Sequence, residues 1–404
     1  MGKIDNLIKE LCPEGVKFQE LGKVAKFCRG KLLSKAAIGT GDVPIILYGE
    51  LYTTYGNYIV DVVSRANYKT AIKGTEVVRG NIVMPITSTT KEAQIGKASA
   101  ILTDESIYLG GDAIALKHNQ EPGYLVHLLN SRWFESLKMR ERTGTTVSHL
   151  SPKGIAKIKI PIPPLEVQKE IVRVLDSFTE LEAELEAELE ARKKQYEYYR
   201  NTLLTFEDDV MWKPMGEICI FSKDRIASDE LTADNYVGVD NLLKDKKGRT
   251  ISSYVPESGI WTKFVSGDIL IGNIRPYLRK IWLADIEGGT NGDVLVLHIS
   301  KEYTERITPK FLFHCLSSER FFMFMDSTSK GAKMPRGDKK AILNFMIPIP
   351  SLSVQQQIVA TLDKFEKLTN DISVGLPAEI EARRKQYEYY RNKLLTFKEL
   401  ERSK

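Results

Sequence analysis

Short stretches of the chain mix Lys and Arg with tyrosines, hydroxyls and amides, and that mixture suits a polyanion with readable edges. Lys and Arg neutralise phosphates, while Arg, Asn and hydroxyl groups hydrogen-bond base edges in a DNA groove. The candidates in the first part of the chain are Lys31 and Lys35, then Tyr52 and Tyr55 within a tyrosine run. Thr89 and Lys91 follow, and then Arg142, Thr145, Thr146 and His149. The second part offers Lys246 and Arg249 around a Gly turn, and Asn273, Arg275, Tyr277, Arg279 and Lys280 within GNIRPYLRK. Lys333 and Arg336 complete the set, in a loop whose one acid is Asp338. Charge runs are commonly solvated surface, and the tyrosine run fits strand residues on a core equally well.

Other chemistries lack their residues. The Gly-Lys pairs at Gly22, Gly30 and Gly96 have neither the upstream glycine nor the following Ser/Thr of a phosphate-cradling loop. There is no Asn-Pro-Pro-aromatic motif to hold a flipped base, no Gly-rich nucleotide loop, and no acid pair with a nearby lysine for a nuclease metal. The four cysteines form no CxxC and the five histidines no HExxH, which argues against structural zinc and a disulfide framework. No catalytic residue, metal or cofactor is therefore expected. No apolar leader or stretch of about 20 apolar residues exists, so no membrane is expected and cytoplasmic residence is the default.

A repeat organises these residues. EARKKQYEYYRNTLLTF, from Glu190 to Phe206, recurs from Glu381 to Phe397 with 15 of 17 positions identical, at an offset of 191. IPIPPLEVQKEIVRVLDSFTEL, from Ile160, recurs from Ile347 with 13 of 22 identical, at an offset of 187. EPGYLVHLLNSRWF from Glu121 answers TPKFLFHCLSSERF from Thr308 more faintly. The chain is two copies of one unit, each with a diverged front and a preserved back. A diverged front suggests two different targets; a preserved back suggests one shared role.

The fold class expected is α+β: two similar α/β domains separated by two long antiparallel, coiled-coil helices, as a pseudo-two-fold repeat. The segments are residues 1–160 (first front), 161–206 (first helix), 207–347 (second front) and 348–404 (second helix). VPIILY, NYIVDVV, GNIVMPI and AIALK read as strands in the first front, and NYVGV, GDILIGNI and DVLVLHI in the second. One helix per front is expected, over Leu125 to Met139 and Phe311 to Met325. Prolines keep IPIPP and IPIPS extended. Steps of three and four then place Ile171, Phe178, Leu185, Tyr196 and Tyr199 on one seam, and Ile358, Phe365, Tyr387 and Tyr390 on the other. These residues are expected to join the helices or dock a partner, with the segments near Ile171 and Ile358 in contact. Gly375 and Pro377 should break the second helix.

Formal net charge is +5, but it is uneven. The first front carries 22 basic and 15 acidic residues, the first helical segment 6 and 10, the second front 20 and 20, and the last segment 10 and 8. The acid-rich helix is poorly suited to phosphate.

The duplicated fronts, the doubled IPIP-x-L-x-x-Q-x-x-I start of each helix, the KQYEYYRN-x-LLTF tails and the GDIL-x-x-x-IRP stretch resemble specificity subunits of type I restriction–modification systems. The resemblance covers essentially the whole chain. It implies that each front is a target-recognition domain reading one half of a split, asymmetric site on double-stranded DNA. It implies that the helices fix the unread spacer. It also implies two modification (methyltransferase) subunits and two restriction subunits as partners, which carry the chemistry. Two other readings stay open on the residues alone: a stand-alone methyltransferase or nuclease with unrecognised motifs, and a coiled-coil scaffold that binds proteins only.

Overall fold

A computed structural model describes residues 2–33, 35–89, 94–144, 146–207, 210–370 and 374–400. Its larger helices are α1 (Gly2–Leu11), α2 (Pro122–Leu129), α3 (Arg132–Lys138), α4 (Leu165–Leu203), α5 (Pro309–Leu316), α6 (Glu319–Ser327), α7 (Leu352–Asn370) and α8 (Leu376–Leu394). The chain divides into two compact units, residues 1–183 with 381–404, and residues 184–380. This differs from four consecutive segments, because each unit combines the front of one repeat with the helical tail of the other.

The first unit holds a five-stranded sheet in the order Ala25–Arg29, Ala113–His118, Ile82–Pro85, Ser99–Ile101, Tyr58–Ile59, and a four-stranded sheet centred on Val43–Ile46 and Ile107–Leu109. The second unit repeats the heart of the larger sheet as Cys219–Phe221, Val294–Ile299, Ile269–Gly272 and Ile281–Leu283. Strand runs such as IVMP and ILIG are buried throughout, since helices cover one face and strands of the smaller sheet, with neighbouring loops, cover the other. NYVGV is not a strand; only Tyr236 makes a bridge there, to Gly289.

The helix expected in each front is two helices. Ser131 and Ser318 accept hydrogen bonds from the backbone N–H groups of Phe134 and Phe321. Each serine thus caps a new N-terminus and divides one apolar run into α2/α3 and α5/α6. The α1 helix, also not anticipated, buries Ile4 in the first core.

The prolines of each IPIP lie on two-stranded edges, Lys159–Ile162 with Lys17–Glu20 and Met346–Ile349 with Met211–Pro214, where a missing donor costs little. The glutamine four residues into each helical segment explains why that position is shared. Gln168 and Gln355 are fully buried. Gln168 Oε1 accepts from the Glu121 N–H at 3.0 Å and Nε2 donates to the Pro163 carbonyl at 2.8 Å. Gln355 repeats this with the Thr308 N–H at 2.9 Å and the Pro350 carbonyl at 2.9 Å, and adds the Arg306 carbonyl at 2.7 Å. One amide side chain therefore ties the extended segment, the start of the long helix and the start of α2 or α5 together.

The helices run antiparallel within each unit, but Ile171 and Ile358 are not partners. Ile171 is buried in the first core with Leu394 and Leu395, and Ile358 in the second with Tyr196 and Leu204. Antiparallel pairing sets the start of one helix against the end of the other. Phe178 stacks on Tyr390 with centroids 5.2 Å apart, and Glu182 meets Arg384 at 2.6 Å. Phe365 stacks on Tyr196 at 6.2 Å and on Tyr199 at 5.2 Å. Leu185 is partly buried in the second unit.

The second long helix is broken as expected: α7 ends at Asn370 and α8 begins at Leu376, with Pro377 in its first turn. The first helix is continuous over 39 residues. Its LEAE run is rich in helix formers and carries an i,i+4 pair, Glu188–Arg192 at 2.7 Å.

Candidate nucleic-acid interface

Two loops meet at the same place in each unit. In the first unit, strand Ser148–Leu150 pairs antiparallel with Thr87–Ser88, so that His149 faces Thr87. In the second, Arg336 bridges Ile274. His149 and Arg336, like Thr87 and Ile274, are 187 residues apart, the offset of the repeat. The supporting hydrogen bonds also recur. The Leu150 N–H donates to the Ile86 carbonyl as Gly337 does to Asn273, and Ile86 N–H donates to the Asp112 carbonyl as Asn273 does to Asp293.

On this common frame the side chains differ. In the first unit the Thr87 hydroxyl lies 3.1 Å from Asp112 Oδ1 and 3.1 Å from His149 Nδ1. Its single proton goes to the carboxylate, so His149 Nδ1 is the donor of that pair, and in this tautomer Nε2 is an acceptor. Arg142 donates to the Ser148 hydroxyl at 2.9 Å, a neutral partner, and among the described residues it makes no ion pair. Thr146, Thr89 and His149 are exposed around the pair. The Tyr52 hydroxyl donates to the Thr87 carbonyl at 2.9 Å; burial, and to a smaller extent Tyr48, pushes its pKa well above the usual phenol range.

In the second unit the same spot presents donors. Arg336 Nε is 3.1 Å from Asp293 Oδ1, which fixes the guanidinium and leaves its outer N–H groups available. The Arg275 N–H donates to the Pro335 carbonyl at 2.7 Å, bringing Arg275 and the half-exposed Tyr277 beside this loop, and Lys333 is exposed on it. Arg275 and Arg279 both have left-handed backbones, φ 54° and 49°, a conformation unfavourable for a side-chain-bearing residue.

Several candidates belong elsewhere. Tyr55 is core: it is buried, its hydroxyl accepts from the Val63 N–H, and burial pushes its pKa up to about 12. Lys280 is also buried; its ammonium donates to the Val239 carbonyl and burial lowers its pKa. Asn273 is 4% exposed, and its role is in the backbone frame. Lys246 is held between Glu197 at 2.9 Å and Glu319 at 3.1 Å, and Arg279 pairs with Glu319 at 2.9 Å, so both charges are spent internally. Arg249 lies over the Trp282 ring at 4.9 Å and donates to the Asp234 carbonyl. Lys31 and Lys35 are exposed, but they flank a separate cluster of Leu33, Ala37, Ile45 and Ala66. Lys91 and Thr145 lie outside the described residues. Thr87, Asp112 and Asp293 were not singled out in the sequence. Aligning the fronts at the offset of 187 would have paired Thr87 with Ile274 and His149 with Arg336.

A second repeated feature lies behind the loops. His127 Nε2 is 2.8 Å from Asp176 and His314 Nε2 is 3.0 Å from Asp363, again 187 residues apart. The pairs tie α2 to α4 and α5 to α7. In the first unit Tyr58 and Tyr387 complete the group, through Asp176 Oδ1 at 2.7 Å and His127 Nδ1 at 3.0 Å. Gly123 makes room: a Cβ there would meet the Tyr58 hydroxyl at 2.6 Å. Lys310 replaces Gly123 in the second copy, 3.4 Å from Asp363 and 3.8 Å from Glu366. Among the described residues, His314, Asp363 and Glu366 form a group close enough to hold a metal ion. The Lys310 ammonium already supplies a positive charge to both carboxylates.

The family model for the type I restriction modification DNA specificity domain matches residues 13–191 and, a second time, residues 207–382. The chain belongs to this family. Among curated relatives, it is 36% identical over 276 residues to the specificity subunit of the type I restriction enzymes EcoR124I/EcoR124II of Escherichia coli. That alignment takes in 62% of this chain and 65% of the relative, just under two thirds of its length. It is 28% identical over 332 residues, 75% of each chain, to the type I restriction enzyme EcoprrI specificity subunit of E. coli. Of solved structures, a chain from work on complex assembly and conformational transition of the type I R-M system superimposes with a TM-score of 0.62 at 17% identity, over 95% of this chain and 98% of that one. The type I restriction–modification system S subunit from M. genitalium gives 0.51 at 16% identity, over 94% and 96%. These two likenesses show the fold. No helix among the described residues is long and apolar enough to cross a membrane.

Proposed function

We propose that this chain is the DNA-specificity subunit of a type I restriction–modification enzyme, and that each unit reads one half of a bipartite, asymmetric site. The observation that carries the reading is the paired loop, built twice in one register with different side chains. A shared frame with unlike tips is what two reading heads for two unlike half-sites require. At the corresponding tip the first unit offers an imidazole acceptor, at His149, and the second a guanidinium donor, at Arg336. In the major groove an acceptor suits an amino edge, on adenine or cytosine, and a guanidinium suits the O6/N7 edge of guanine. Exposed Lys333 and Arg142, whose side chain meets the neutral Ser148 hydroxyl, would position phosphates. The chain would act without catalytic residues of its own, alongside modification subunits that methylate and restriction subunits that cleave.

The test is competitive binding of the assembled modification complex to duplexes with either half-site scrambled. His149→Ala should relax discrimination at one half-site and Arg336→Ala at the other, each by about 1–3 kcal/mol. Equal weakening of all duplexes by both variants would contradict the assignment of one half-site to each unit.

A further inference from the structure

Arg275 is a donor without an acceptor. It is half-buried, makes no ion pair among the described residues, and its Nε is buried with no hydrogen-bond partner. A guanidinium N–H taken out of water and left unpaired is costly until an acceptor arrives.

The backbone that carries this side chain is strained and tightly held. Arg275 opens a turn closed by the Leu278 N–H on the Arg275 carbonyl at 2.9 Å and the Arg279 N–H on the Pro276 carbonyl at 2.8 Å. A second loop faces it: the Asp245 and Lys246 N–H groups donate to the Leu278 and Arg279 carbonyls at 3.0 and 2.9 Å. Among the described residues, six that bear side chains have left-handed backbones, and four of them, Asp245, Lys246, Arg275 and Arg279, lie in these two loops. Such conformations persist only where the surroundings over-determine them.

Here a set of side-chain bonds does so. Arg279 Nε donates to Glu319 at 2.9 Å, and its Nη1 donates to the Tyr277 carbonyl at 2.9 Å. Glu319 also meets Lys246 at 3.1 Å, and Lys246 reaches Glu197 at 2.9 Å. The guanidinium thus ties the middle of the turn to α6, and the ammonium ties the facing loop to both α6 and α4. This clamp is particular to the second front. In the first, 187 residues earlier, Arg132 stands in place of Glu319 and pairs with Glu388 at 3.0 Å.

We propose that Arg275 is a second specificity-determining residue beside Arg336, and that Arg279 and Glu319 are the positioning residues that aim it. A phosphate contact tolerates a loosely held side chain, whereas a base edge needs one held in direction. The donor-only guanidinium suits the O6/N7 edge of guanine.

The inference rests on the specificity-subunit reading. Its test uses the assembled modification complex and competing duplexes with one base pair substituted at a time. Arg275→Ala should remove the preference at one G·C pair, within the half-site that Arg336→Ala affects, a loss of roughly 5- to 150-fold. Arg279→Gly, in which glycine adopts φ 49° without strain, and Glu319→Gln should each lower the preference at that same pair by part of this, roughly 3- to 10-fold. Both should leave the other half-site unchanged. Because they act through Arg275, neither should lower the preference further in an Arg275→Ala background. An equal effect with and without Arg275, or a loss shared by both half-sites, would overturn the positioning role. Equal weakening of every duplex by Arg275→Ala, with a shallower salt dependence, would make it a phosphate contact and overturn the specificity role. An unsubstituted complex that discriminates at neither half-site would overturn the specificity-subunit reading itself.

Discussion

The most informative single side chain is the buried glutamine of each helix start. Its amide satisfies a backbone donor and carbonyl acceptors that no strand or helix ladder reaches. Gln355→Leu would fill the space but leave those groups buried and unpaired, so the second unit should lose about 2–4 kcal/mol of stability. The midpoint of urea unfolding, followed through Trp282, measures this, and a change below about 0.5 kcal/mol would remove the clamp role. The spacing of this glutamine was legible as a motif, but its partners were not, since Arg306 and Thr308 lie far from it in sequence. The basic candidates were the least legible residues. Lys246, Arg279 and Lys280 read as surface charges by type, yet burial and nearby carboxylates and carbonyls decide their fate, and those are tertiary facts.

At the scale of elements, the long helices were plain from prolines, apolar spacing and the Gly375–Pro377 break. Their pairing was legible in direction but not in register. Antiparallel helices bring Phe178 to Tyr390 and Phe365 to Tyr199, rather than Ile171 to Ile358. The apolar run of each front read as one helix because periodicity continues through Ser131 and Ser318; the caps are visible only once the serine hydroxyl is seen on the N–H of Phe134 or Phe321. The LEAE run of α4 contributes no residue to either core, and we propose that its length sets the unread spacer. Inserting one further LEAE after Glu184 should add about 6 Å of helix, near two base-pair steps. Binding compared across duplexes whose spacer is stepped one base pair at a time should show the optimum shifted to a longer spacer with both half-sites unchanged. An unmoved optimum would remove the ruler role from this helix.

For the whole molecule, the repeat is what carries the account. Each compact unit is assembled from the front of one copy and the tail of the other, which gives the tails a reason to stay alike while the fronts diverge. That exchange was hidden in the sequence, where the natural division falls between copies rather than across α4. The family resemblance and the duplicated domain match agree on two specificity domains, and the paired loops are the place we propose for their difference. The most direct measurement is a map of methylated adenines in cells carrying this chain with its modification subunit, set against cells lacking the chain alone. The account predicts one motif that depends on the chain, made of two unlike defined halves around an unspecified spacer. A single contiguous motif, or the same map with the chain absent, would contradict it.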